Sequence, residues 1–170
     1  RNVPRAEVLW LMRAKEKMVN GRVAEAREIL TQAFAANENS QEVWLAAVKL
    51  EWENDEYERA RMLLSRARER CPADRVFMKS ALLERECQRH EDALRLLEEG
   101  VARNDKFSKF YMIAGQICAE DLQDVDRARK FYQRGLQKNP HSLVLWILAA
   151  RLEERHGGPP KPPPAPSASA

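Results

Sequence analysis

Glycine and proline are scarce, and where they stand carries information. Six of the nine prolines crowd the last fourteen residues, leaving Pro4, Pro72 and Pro140 for the rest of the chain. The six glycines form no phosphate-cradling loop. No apolar run approaches the roughly 18 residues of a membrane span, and no secretory leader is visible. Three histidines, His90, His141 and His156, fall on a turn, a repeat junction and near the chain's end. They offer no convergent constellation for acid–base chemistry. The three cysteines, Cys71, Cys87 and Cys118, are an odd set on helical stripes, which points to reduced thiols. Cys87-x-x-His90 is half a metal motif without a second half. The 29 basic and 26 acidic residues leave a net charge of +3, not the strong excess of a dedicated nucleic-acid binder. The serines are few and suit helix caps. No catalytic residue, metal site or cofactor is expected, and no small-molecule substrate.

What the chain does have is periodicity. From Ser40 to Pro72, Val43, Trp44, Ala47, Val48 and Leu50 form one apolar helical stripe. The polar break EWENDE follows, and then Tyr57, Ala60, Leu63, Leu64, Ala67 and Cys71 form a second. Cys71-Pro72 ends it, because proline cannot continue a helix. This is a helix–turn–helix unit of about 34 residues.

The unit recurs. A leading aromatic stands at Trp10, Trp44, Phe77, Tyr111 and Trp146. Alanine follows sixteen or seventeen residues after the first four, at Ala26, Ala60, Ala93 and Ala128. Another small residue lies seven further on, at Ala33, Ala67, Gly100 and Gly135. Helix-ending positions come at Glu38, Pro72, Asp105 and Pro140. Two small residues seven apart share nearly one helix face and admit a close neighbour, while the aromatic fills the space beside them. One hairpin cannot bury both its faces, but stacked hairpins can. The predicted fold is therefore an all-α solenoid.

The expected division is a repeat array over 1–156, with repeats at 5–38, 39–72, 73–105, 106–140 and a half repeat at 141–156. Val8, Leu9, Trp10, Met12 and Ala14 are the expected core of the first helix, and Asp74 the expected N-cap of the third repeat. The turn EDLQDVD is one residue longer than the others. Residues 1–4 read as the end of a preceding repeat, so the sequence reads as a piece of a longer array. From 157 to 170 the composition turns proline-rich, which predicts a disordered, extended tail. The 141–156 helix is expected to carry an uncovered apolar face.

Seven residues after each aromatic stand Lys17, Glu51, Glu84, Cys118 and Glu153, and Ala-Arg opens several second helices (Ala26-Arg27, Ala60-Arg61, Ala128-Arg129). These features resemble HAT (half-a-tetratricopeptide) repeats. A charge-assisted bond from Arg61 to the partly desolvated Glu51 is one expected consequence. With Leu94, Cys118 and Lys17 breaking the pattern elsewhere, that pair is expected in the second repeat alone. The segments VLWLMRAK, EVWLAAVKLEWENDEYERARMLLSRAR, RVFMKSALLE and KNPHSLVLWILAARLEE resemble the C-terminal HAT arrays of the pre-mRNA-processing factor 6 family, which bridges parts of the spliceosomal tri-snRNP. The resemblance implies a nuclear, non-catalytic scaffold whose partners are splicing proteins.

Two other classes compete. Arg59, Arg61, Arg66, Arg68 and Arg70, echoed by Arg127, Arg129, Lys130 and Arg134, could bind RNA. The aromatics nearby sit at core positions and are unavailable for stacking, and acids are interspersed. The basic runs therefore read as solvated faces, RNA association as indirect, and Arg68→Leu as nearly neutral. For protein partners, the polar groove positions are Arg13, Lys49, Lys79 and Gln116. A tetratricopeptide cochaperone that captures acidic C-terminal peptides is the alternative, and it ranks lower because these groups are spread over four repeats.

Overall fold

A computed structural model describes residues 5–157, with the Arg5 side chain outside it. The expectations for residues 1–4 and for the proline-rich tail lie outside the described residues. Among the described residues there are nine α-helices and no strand. They are α1 (Arg5–Val19), α2 (Val23–Ala36), α3 (Gln41–Glu53), α4 (Tyr57–Arg70), α5 (Asp74–Glu86), α6 (His90–Arg103), α7 (Ser108–Gln116), α8 (Val125–Lys138) and α9 (Leu143–His156). The backbone divides into two compact units that meet inside α5, between Ser80 and Ala81.

Local chemistry sets the helix ends. Ser40 and Ser142 cap α3 and α9 by accepting the N–H of Val43 and Leu145. Asp124 does the same for α8 through Arg127 N–H. Asp74 stands one place further in than expected, as the first residue of α5, which starts on the Ala73 carbonyl. The turns within the hairpins share one device. Gly21, Asp55 and Gln88 adopt positive φ of 70°, 60° and 61°. The next residue in each case returns its N–H to a carbonyl five back, Arg22 to Lys17, Glu56 to Glu51 and Arg89 to Glu84. The fourth turn absorbs its extra residue as a π turn, Ile117–Asp121, that widens the end of α7. Gln123 there takes φ 55°, and Asp124 N–H reaches back to Cys118.

In the first unit α1 packs on α2, α3 on α4, and α2 on α3. Ala14, Ala26, Leu30, Ala47 and Leu50 form one buried cluster there. Val8, Leu9 and Met12 do not join it: they are 44%, 59% and 63% exposed. Val43, one repeat after Leu9, is fully buried; α2 packs on its helix, whereas no described helix precedes α1. In the second unit α6 packs on α7, α7 on α8 and α8 on α9. Its core holds Leu83, Leu97, Phe110, Tyr111, Ile117 and Leu145.

Candidate functional site

The recurring positions are structural anchors. Trp44 Nε1 donates to the Glu38 carbonyl at 2.8 Å, Tyr111 Oη to Asp105 at 2.8 Å and Trp146 Nε1 to Pro140 at 3.0 Å. Each reaches six residues back and pins its helix to the loop before it. Phe77 is buried without a donor to offer, and Trp10 is half-buried. Pro72 and Pro140 lie exposed just past α4 and α8. Ala26, Ala33, Ala60, Ala67, Ala93 and Ala128 are all buried. A Cβ at Gly100 would stand 2.6 Å from the Phe110 ring, and one at Gly135 would stand 2.7 Å from Tyr111 Cβ. Gly115, which the spacing argument passed over, is equally tight, since a Cβ there would run into the Tyr132 ring. Its signal was its position four residues after the aromatic, where Ala14, Val48 and Ala81 are buried too.

The acidic position works differently from the expectation. Glu51 is 6% exposed and accepts two bonds, 2.7 and 2.8 Å, from Arg27 of the preceding hairpin. Arg61 instead bonds Glu58 on its own helix. Nor is the arrangement confined to one repeat. Arg129 grips Glu153 with the same 24-residue separation, and this bond holds the Glu153 carboxyl below its ordinary pKa. The reason is geometric: this edge of α3 and α9 faces the second helix of the hairpin before. Glu84 is buried as well. Another buried acid escaped sequence reading: Glu7 accepts from Ser40 Oγ and from Asn37 Nδ2.

The basic runs are largely neutralised. Arg127 and Arg134 make two-bond contacts with Glu91 and Glu98, each 36 residues earlier. Arg134 also lies over the Tyr111 and Phe131 rings. Arg59 and Arg70 approach Glu56 and Glu38 at 4.0 and 3.9 Å. Arg68 is no free surface group, because its Nη1 donates to the buried Ser80 Oγ at 2.8 Å. The surface near Tyr111 opens into a cleft of about 740 Å³ lined in part by Arg103, Lys106, Arg134 and Lys138. There Lys138 is bonded to Asp105 at 2.7 Å, and Arg134 to Glu98.

Of the groove candidates, Arg13 and Lys49 are exposed on α1 and α3, and Lys49 lies 3.7 Å from Glu53. Lys79 is half-buried on α5; Gln116, also half-buried, belongs to the other unit. Among the described residues no group of His, Cys, Asp and Glu could hold a metal. None of the described helices is long and apolar enough to cross a membrane. All three cysteines are free, and burial pushes the Cys118 thiol up to about 11.

Tetratricopeptide-repeat families match residues 18–83 and again 79–142. The chain is an all-α solenoid of tetratricopeptide-type repeats. Within that class its array resembles the HAT-repeat type. It is 45% identical over 106 residues, 62% of its length, to the pre-mRNA-splicing factor prp1 of Schizosaccharomyces pombe. Over 54 residues, 32% of its length, it is 54% identical to protein STABILIZED1 of Arabidopsis thaliana. The matches span only 12% and 5% of those two proteins. Among solved structures, a tetratricopeptide repeat protein from Parabacteroides merdae superposes with a TM-score of 0.67. At 16% identity, and covering 90% of this chain and 61% of that one, it shows the fold alone. Repeats of this type are characteristically protein-interaction scaffolds.

Proposed function

We propose that this array is a non-catalytic scaffold of nuclear pre-mRNA splicing that holds protein components of the tri-snRNP together, with RNA contacted through those partners. The carrying observation is the 45% identity to a pre-mRNA-splicing factor over 106 residues. The chemistry of the surface supports the same reading. Several of its arginines are spent on repeat-to-repeat carboxylates, as in Arg127–Glu91 and Arg134–Glu98, rather than left open as a phosphate-binding stripe. Purified tri-snRNP titrated onto the immobilised chain tests the reading. It requires saturable binding that survives nuclease treatment. Binding lost on nuclease treatment, or no binding while an acidic C-terminal peptide saturates the chain, would favour RNA contact or the cochaperone alternative.

A further inference from the structure

In the second unit a ladder of ion pairs ties α8 to α6 and to the loop after it. Arg127 bonds Glu91 at 2.8 and 3.1 Å, Arg134 bonds Glu98 at 2.6 and 2.9 Å, and Lys138 lies 2.7 Å from Asp105. Counted from the buried Ala128, the cations stand at −1, +6 and +10. Counted from the buried Ala93, the acids stand at −2, +5 and +12.

The first unit keeps the cations and loses two of the acids. Counted from Ala60, the same places on α4 hold Arg59, Arg66 and Arg70. Counted from Ala26, the acid places hold Ala24, Thr31 and Glu38. The last rung survives as Arg70 and Glu38, 3.9 Å apart, which shows α2 and α4 in the same register. Arg66 is exposed and makes no ion pair among the described residues. Arg59, 54% exposed, approaches Glu56 just before its own helix at 4.0 Å. So long and exposed a contact contributes little, which leaves Arg59 available. Ala24 and Thr31 are exposed as well, and Thr31 turns its hydroxyl back to the Arg27 carbonyl. Between the two arginines Met62 is 52% exposed.

The filled rungs of the second unit show what suits these arginines. There a carboxylate meets each guanidinium through two bonds. Two acids seven residues apart on a helix are separated by about 10.5 Å, the same step as Arg59 to Arg66. Methionine and arginine are both favoured at protein interfaces, and Met62 offers an apolar contact between the charges. Base stacking has no platform on α2, whose Phe34 is packed edge-on against Trp44.

We infer that the seam of α2 and α4 docks an acidic amphipathic helix of a partner protein, whose carboxylates seven residues apart bond Arg59 and Arg66 and whose apolar residue between them covers Met62. The inference deepens the scaffold reading and rests on it only in that the occupant is a protein.

The probe is a capped, alanine-rich helical peptide with two glutamates seven residues apart and a leucine three after the first. It is titrated into the full chain by fluorescence anisotropy. Docking predicts saturable binding that weakens at least about tenfold with Arg59→Gln/Arg66→Gln in the chain. Glutamine in place of both peptide glutamates should weaken it similarly. Ala24→Glu/Thr31→Glu keeps both arginines and supplies the acids from within, so it should exclude the peptide by a comparable factor. Circular dichroism verifies that both variant chains keep their helix content. No saturation by about 1 mM, or binding indifferent to these changes, would overturn the inference. So would an oligouridylate that binds through the same arginines more tightly than the peptide does. The capped peptide has no terminal carboxylate and is measured without tri-snRNP, so this inference and the scaffold reading fail separately.

Discussion

A single methyl group decides the fit between α7 and α8. Gly115 leaves room for Tyr132, and any Cβ there displaces the ring. Gly115→Ala should cost about 1–3 kcal/mol by overpacking, and adding Tyr132→Leu should recover part of it in denaturant melts. Gly135→Leu and Ala60→Leu fall in the same range for the same reason. Arg68→Leu, harmless if the side chain were merely solvated, should cost about 1 kcal/mol because Ser80 Oγ loses a donor while 2% exposed. The small residues were legible because their spacing is helical and their recurrence strict. The partners of Ser80 and Glu7 were not, since those bonds depend on which neighbouring helix lies opposite. Cys118 is fully buried with its thiol pushed up to about 11, so alkylation at pH 8 should spare it until the chain unfolds.

At the scale of elements, the hairpin turns repeat a left-handed residue whose identity varies. Gly21 holds it without strain, and Gln88 holds the same conformation at φ 61° with a side chain. Gly21→Ala should lower stability and Gln88→Gly raise it, each by about 0.5–1 kcal/mol, as read in thermal melts. The ties between hairpins give a pH dependence with a definite sign. Hydrogen bonds from Arg129 and Arg127 lower the pKa of Glu153 and Glu91 below the ordinary 4.5. A lowered carboxylate contributes stability above its unfolded pKa and loses it as pH falls through the folded value. The parent should therefore lose stability on acidification below about pH 5 more steeply than Arg129→Met, with the two melting curves drawing together at low pH. Sequence periodicity located these helices, and the longer fourth turn announced itself by length. That it is a π turn, and that Glu51 pairs backward to Arg27 rather than forward to Arg61, required the backbone. A repeat pattern gives the phase of each helix but not which neighbour its edge faces.

At the scale of the whole molecule, the chain devotes its aromatics, small residues and most described arginines to building repeats, and its function lies in what the repeats hold. The most direct measurement is affinity purification of the tagged chain from nuclear extract, nuclease-treated before elution and read by mass spectrometry. The account predicts tri-snRNP proteins retained after their RNA has been digested away. Recovery of chaperones alone, or loss of every splicing protein with the RNA, would contradict it.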